Sequence, residues 1–108
     1  MTEIRCTVQE GTIPIELRGR LATELSQVMS ENLGGSTNDI TVMYTEIPRG
    51  FGFRGGEPST TSLVATLVPE GFAQPAREAL LRALNDCWCT VTGCRTDELV
   101  VTASDEVS

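Results

Sequence analysis

The chain has 108 residues, 40% of them hydrophobic and 21% charged, with a formal net charge of −7. That describes one domain with enough apolar content for a core, and its acidity argues against nucleic acid or an anionic membrane surface as a partner. It has no histidine and no lysine, all eight basic residues being arginine, which excludes His-based triads, histidine-ligated metals, lysine Schiff bases and a phosphate-loop lysine.

What remains for proton chemistry is the carboxylates, four cysteines, Tyr44 and the chain's own α-amine. The α-amine has an unperturbed pKa of about 7.7–8.0, the best placed of these for general-base work near neutrality. No apolar run approaches the roughly 20 residues of a membrane span, and no signal peptide is recognisable, so the expected location is cytoplasmic. Cys6, Cys87, Cys89 and Cys94 are then expected as free thiols. Their spacing fits neither a zinc ribbon nor a finger, and neither metal nor cofactor is expected.

Ile4 to Val8 alternates apolar and polar residues, the pattern of a half-buried strand. Glu10-Gly11 closes it. Thr12 and Pro14 predict a helix start, the first as a hydroxyl cap and the second in the first turn. Leu17, Leu21, Leu25, Val28 or Met29, and Leu33 supply one apolar helical face. Gly19 weakens that helix, and Gly34-Gly35 ends it as a left-handed cap. Ile40 to Ile47 is a second strand, stopped by Pro48.

Residues 49–59 follow as a glycine-rich loop containing Arg49, Phe51, Phe53 and Arg54. Glycines allow backbone N–H groups to approach a ligand closely, two phenylalanines provide an apolar wall, and two arginines provide fixed positive charge. The loop therefore reads either as a cradle for a small carboxylate or as a joint between two halves. Thr61 to Val68 is a third strand, nearly continuously apolar from Leu63 and expected to be covered on both faces. Pro75 starts a second helix with Leu80, Leu81, Leu84, Cys87, Trp88 and Val91 on one face, which reads Cys87 and Trp88 as packing. Gly93 ends it, Leu99 to Ala103 is the fourth strand, and Asp105 to Ser108 is an acidic tail.

The two halves echo each other. Glu10-Gly11 matches Glu70-Gly71, Pro14 matches Pro75, Gly34 matches Gly93 and Asp39-Ile40 matches Glu98-Leu99, at offsets of 59 to 61 residues. Each half is a βαβ crossover with parallel strands. The expected architecture is α/β: one domain over 1–108, pseudo-repeats 1–48 and 60–104 joined by loop 49–59. Two consecutive βαβ units make a two-layer sandwich with a four-stranded sheet and both helices on one face. The other face is left for an oligomer to cover.

With Glu10-Gly11, Gly34-Gly35, Ile40 to Ile47 and the run Gly52-Phe53-Arg54-Gly55-Gly56-Glu57-Pro58 in this order, the chain resembles the tautomerase superfamily. Its members include 4-oxalocrotonate tautomerase, malonate semialdehyde decarboxylase and macrophage migration inhibitory factor. The resemblance implies that fold and a homotrimer. It further implies an isomerase, hydratase or decarboxylase acting on a small keto or unsaturated carboxylate, with an amino-terminal proline as general base or acid and arginines on the carboxylate. Here the proline position is Thr2, and the two family arginines correspond to Thr12 and Thr41. The alternative is therefore a non-catalytic binding or assembly module.

If Met1 is removed, the Thr2 α-amine stands at the catalytic position; if it is retained, its side chain enters the pocket. Arg54 lies where the decarboxylase branch has an arginine, with Arg49 and Arg5 as helpers and Phe53 as an apolar wall. Tyr44 is either an orienting group or packing, and Cys6 either a reactive thiol or a small buried hydrophobe.

Overall fold

The computed structural model describes residues 2–106; Met1 and the end of the expected acidic tail, Val107 and Ser108, lie outside them. Strand β1 runs Thr2–Gln9, helix α1 Ile15–Leu33 and strand β2 Ile40–Ile47. A two-residue pair, β3 (Phe53–Arg54) and β4 (Glu57–Pro58), lies in the linking loop. Strand β5 runs Ser62–Val68, helix α2 Gln74–Thr92 and strand β6 Leu99–Asp105. A single 3-10 turn precedes β2 at Thr37–Asp39 and β6 at Thr96–Glu98.

The sheet order is β2-β1-β5-β6. β1 and β2 are parallel, as are β5 and β6, while β1 and β5 meet antiparallel at the centre. Each βαβ unit thus forms its own parallel pair, and the two pairs join head to tail. The N-terminal end of β1 consequently lies beside the C-terminal ends of β5 and β6: Ile4 pairs with Thr66, and Thr66 with Ala103.

Strand periodicity sorts the side chains onto two faces. Ile4, Cys6 and Val8 of β1 and Val64 and Val68 of β5 are buried under the helices. They pack in one cluster with Leu21, Leu25 and Met29 of α1 and Leu80, Leu84 and Trp88 of α2. Glu3, Arg5 and Thr7 take the other face. Leu63 and Leu67 also point there and are exposed, as are Met43 and Val100. The expectation that β5 is covered on both faces therefore does not hold within one chain. Its inner positions include Ser62 and Thr66 and its outer ones Leu63 and Leu67, so its apolarity serves two faces with only one layer of helices.

Local details depart from expectation at the caps. Pro14, not Thr12, occupies the cap of α1, and the Thr12 hydroxyl instead donates to the Gln9 carbonyl at 2.6 Å. Gly93 closes α2 in the left-handed conformation, whereas Gly34 combines a positive φ with extended ψ. No helix among the described residues is long and apolar enough to cross a membrane.

Candidate functional site

At the N-terminal end of β1, Thr2 is in register with Ile40, which follows directly on the 3-10 turn before β2. Position 2 is therefore held by a ladder as soon as the described chain begins. On the open face beside it, Glu3, Arg5, Ala65, Leu67 and Ser104 line a depression of about 250 Å³. Ala65 and Leu67 form its apolar part. The Arg5 guanidinium donates to the Glu3 carboxylate through two nitrogens, at 3.1 and 3.2 Å. Both side chains are well exposed, so this pair contributes at most about 1 kcal/mol and Arg5 can exchange it for a carboxylate ligand.

The glycine-rich loop is fastened at the other end of β1. The Gln9 side-chain amide donates to the Ser59 carbonyl, and the Ser59 N–H donates to the Gly52 carbonyl at 2.8 Å. A Cβ on Gly52 would lie 2.7 Å from the Ser59 carbonyl oxygen, so only glycine fits this crossing without a shift. The Arg49 guanidinium rests over Gly11, its Nη2 2.8 Å from where a Cβ would stand. Gly55 and Gly56, both at positive φ, turn the β3–β4 hairpin, as a two-residue connection of this hand requires.

Arg54 leaves the hairpin and donates through Nη1 to the Asp97 carbonyl at 2.5 Å, in the turn that precedes β6. Phe51 and Phe53 are 71% and 63% exposed. Within one protomer the loop arginines and Thr2 therefore stand at opposite ends of an eight-residue strand, roughly 23 Å apart at strand rise. The structure brings Arg5 to the Thr2 end; it does not bring Arg54, Arg49 or Phe53 there.

Tyr44 is on the helix-facing side of β2. Its hydroxyl donates to the Arg18 carbonyl at 3.1 Å, and the Arg18 guanidinium lies over its ring, 5.4 Å from the centroid. Burial pushes the phenol up to about 12, the neighbouring Cys6 adds to the rise, and Arg18 opposes it. Within one chain the Tyr44 hydroxyl is thus engaged by the helix layer. Cys6 is only 1% exposed, and burial pushes its thiol up to about 12. It is a small hydrophobe in the core.

Two arginines outside the sequence-derived set organise the helix layer. Arg18, in the first turns of α1, donates to the Ile13 carbonyl and pairs with Glu46 near the end of β2. Arg77, at the start of α2, donates to the Ala103 carbonyl and pairs with Asp105 at the end of β6. Both members of the second pair lie 59 positions after those of the first (18 and 77, 46 and 105). That is the offset relating the two halves, and applying it to charged residues as well as to glycines would have found the pair.

No protein-family model matches the chain, and no curated protein sequence matches it. Its structure is similar to solved ones. Native Ps01740 is 25% identical, with a TM-score of 0.92 over 98% of this chain and 95% of the other. Pt0534 inactivated by 2-oxo-3-pentynoate is 24% identical, with a TM-score of 0.86 over 96% and 85%. The wild-type Q0 fused 4-OT, a symmetric trimer, is 18% identical, with a TM-score of 0.87 over 96% and 85%. The fold is that of the tautomerase superfamily, in its form with two βαβ units in one chain.

Proposed function

We propose that the protein acts on a small keto or unsaturated carboxylate, as an isomerase, hydratase or decarboxylase, with the Thr2 α-amine as its base once Met1 is removed. One observation carries this reading. Pt0534, which shares the fold over 96% of this chain, is inactivated by 2-oxo-3-pentynoate, a small alkynyl 2-oxo acid. An amine with a pKa of about 7.7–8.0 is roughly one quarter neutral at pH 7.4, enough to accept a proton or attack a carbonyl.

The substrate carboxylate requires a guanidinium. Arg5 is at the Thr2 end in the same protomer, over a partly apolar depression. Arg54, Arg49 and Phe53 can serve that end only across a subunit boundary. A homotrimer built on the open sheet face, where Met43, Leu63, Leu67 and Val100 are exposed, provides such a boundary. The Q0 fused 4-OT is itself a symmetric trimer.

The test is chemical labelling. Chain with a free Thr2 amine, verified by intact mass, is incubated with 2-oxo-3-pentynoate and digested with trypsin. The expected result is an adduct on the peptide ending at Arg5, with turnover of phenylpyruvate enol or 2-hydroxymuconate lost in parallel. An unmodified N-terminal peptide overturns the assignment.

A second reading, a non-catalytic binding or assembly module, is favoured by two contacts. The Arg54 guanidinium is already engaged by the Asp97 carbonyl and the Tyr44 hydroxyl by the Arg18 carbonyl. Turnover by the parent chain separates the two readings; if the parent is inactive, activity gained on Thr2→Pro means an intact pocket that lacks only its base, and continued inactivity supports the module.

A further inference from the structure

The last turn of α2 carries Cys89, and Cys94 lies five residues further on. Five residues along a straight helix do not bring side chains together; three or four do. Here the left-handed Gly93 folds the chain back over the helix end, and the Cys94 N–H donates to the Thr92 hydroxyl at 3.2 Å. The result is a sulfur–sulfur distance of 3.5 Å between Cys89 and Cys94. A disulfide needs about 2.05 Å, so the two sulfurs must close by only about 1.5 Å. Both thiols are partly exposed, and Cys94 borders a cavity of about 180 Å³ with Trp88, Thr92 and Glu98.

The other two cysteines do not share this arrangement. Cys6 is buried in the core. Cys87 lines a separate groove between the helices with Glu24, Val28 and Asp86. The pair is therefore selected by geometry, not by cysteine content.

We infer that Cys89 and Cys94 form a redox modification site, converted by hydrogen peroxide into an intrachain disulfide that staples the end of α2 to the turn before β6. One thiolate attacks the peroxide oxygen, the O–O bond breaks, and the other oxygen leaves as hydroxide that takes a proton to become water, giving a sulfenic acid. The second thiolate then attacks the sulfenic sulfur, forming the S–S bond and expelling hydroxide, which takes a proton to leave as a second water. The two sulfurs together lose two electrons, and the peroxide gains them.

The staple has a structural consequence at the loop. Only Arg95 and Thr96 separate Cys94 from Asp97, whose carbonyl holds Arg54. Oxidation therefore tightens the segment on which Arg54 is anchored.

The experiment uses the full chain, fully reduced, freed of reductant and exposed to equimolar hydrogen peroxide. Thiols are counted after denaturation, intact mass is recorded and fragment spectra locate the link. The expected result is a fall from four thiols to two, a mass loss of about 2 Da, and slower amide exchange over residues 94–98. Cys89→Ser and Cys94→Ser should each abolish the link, and Cys87→Ser should leave it intact. Four thiols persisting in the wild-type chain, or a link that survives Cys94→Ser, overturns the inference. Unchanged exchange over residues 94–98 overturns the staple.

Discussion

Gly52→Ala tests how tightly the loop is fastened to the sheet. The added methyl would sit 2.7 Å from the Ser59 carbonyl oxygen and against the Gln9 amide. Neither neighbour can yield freely. Ser59 is tied to Gly52 by its own N–H, and Gln9 is only 5% exposed, with its amide donating to the same Ser59 carbonyl. Pushing the loop away leaves that buried amide unpaired, at a cost of about 1–3 kcal/mol, and any residual overpacking adds about 1 kcal/mol or more. The expected destabilisation is about 2–4 kcal/mol, a large share of a typical domain's 5–15 kcal/mol.

Gly19→Ala is the matched control. It is the same chemical change in mid-helix, where a Cβ meets nothing within 4 Å, and it should stabilise by about 0.5–1 kcal/mol. Urea unfolding of the two variants and the parent, with m-values compared, measures both. A Gly52→Ala chain within about 0.5 kcal/mol of the parent, the range of an ordinary surface substitution, refutes the fastened loop. A destabilised Gly19→Ala chain refutes the use of local space as the deciding quantity.

Three further outcomes follow from the same contacts. The Cys6 thiol is raised from an unfolded value near 9 to about 12, so its contribution is complete below pH 9 and lost as pH climbs from 9 to 12. The loss reaches about 3–4 kcal/mol, and alkaline unfolding curves of Cys6→Ala should be flatter than the parent's over that window. Leu67→Glu places a charge in the exposed apolar set of β5 and should shift a trimer to monomer by light scattering; an unchanged mass would move the interface elsewhere. If Thr2 and Arg54 meet across a subunit boundary, a chain with its Thr2 nitrogen blocked by a short extension and an Arg54→Ala chain are each inactive alone. Refolded together at equal ratio, they should recover about one quarter of parental turnover, the fraction of boundaries receiving both intact groups in a cyclic trimer. Recovery near zero would put both groups in one protomer, and an Arg54→Ala chain active by itself would remove Arg54 from the reaction.

Most of the element order was legible because it rests on local patterns. The strand Ile40–Ile47 matches its expected bounds, and the first helix ends at Leu33 before its glycine pair. The β3–β4 hairpin was not foreseen: two-residue strands carry too little periodicity to register, although Gly55-Gly56 is the turn chemistry a hairpin uses. Thr12 was misread as a helix cap because a hydroxyl near a helix start can equally satisfy a preceding carbonyl, as it does at Gln9.

The site divides along the same line. By itself the sequence determined which groups exist: threonine at position 2, arginine as the only cationic side chain, no histidine, and two halves in one register. Tertiary structure alone decided where those groups stand. The parallel pairing of β1 with β2 and its antiparallel pairing with β5 put the glycine-rich loop at the end of β1 remote from Thr2, where Arg54 reaches the Asp97 carbonyl. They also leave Arg5 on the open face at the Thr2 end. The physical reason is one of range. Periodicity and turn chemistry are set by neighbours a few residues away, whereas the carbonyl a guanidinium reaches depends on how segments 43 residues apart are brought back together.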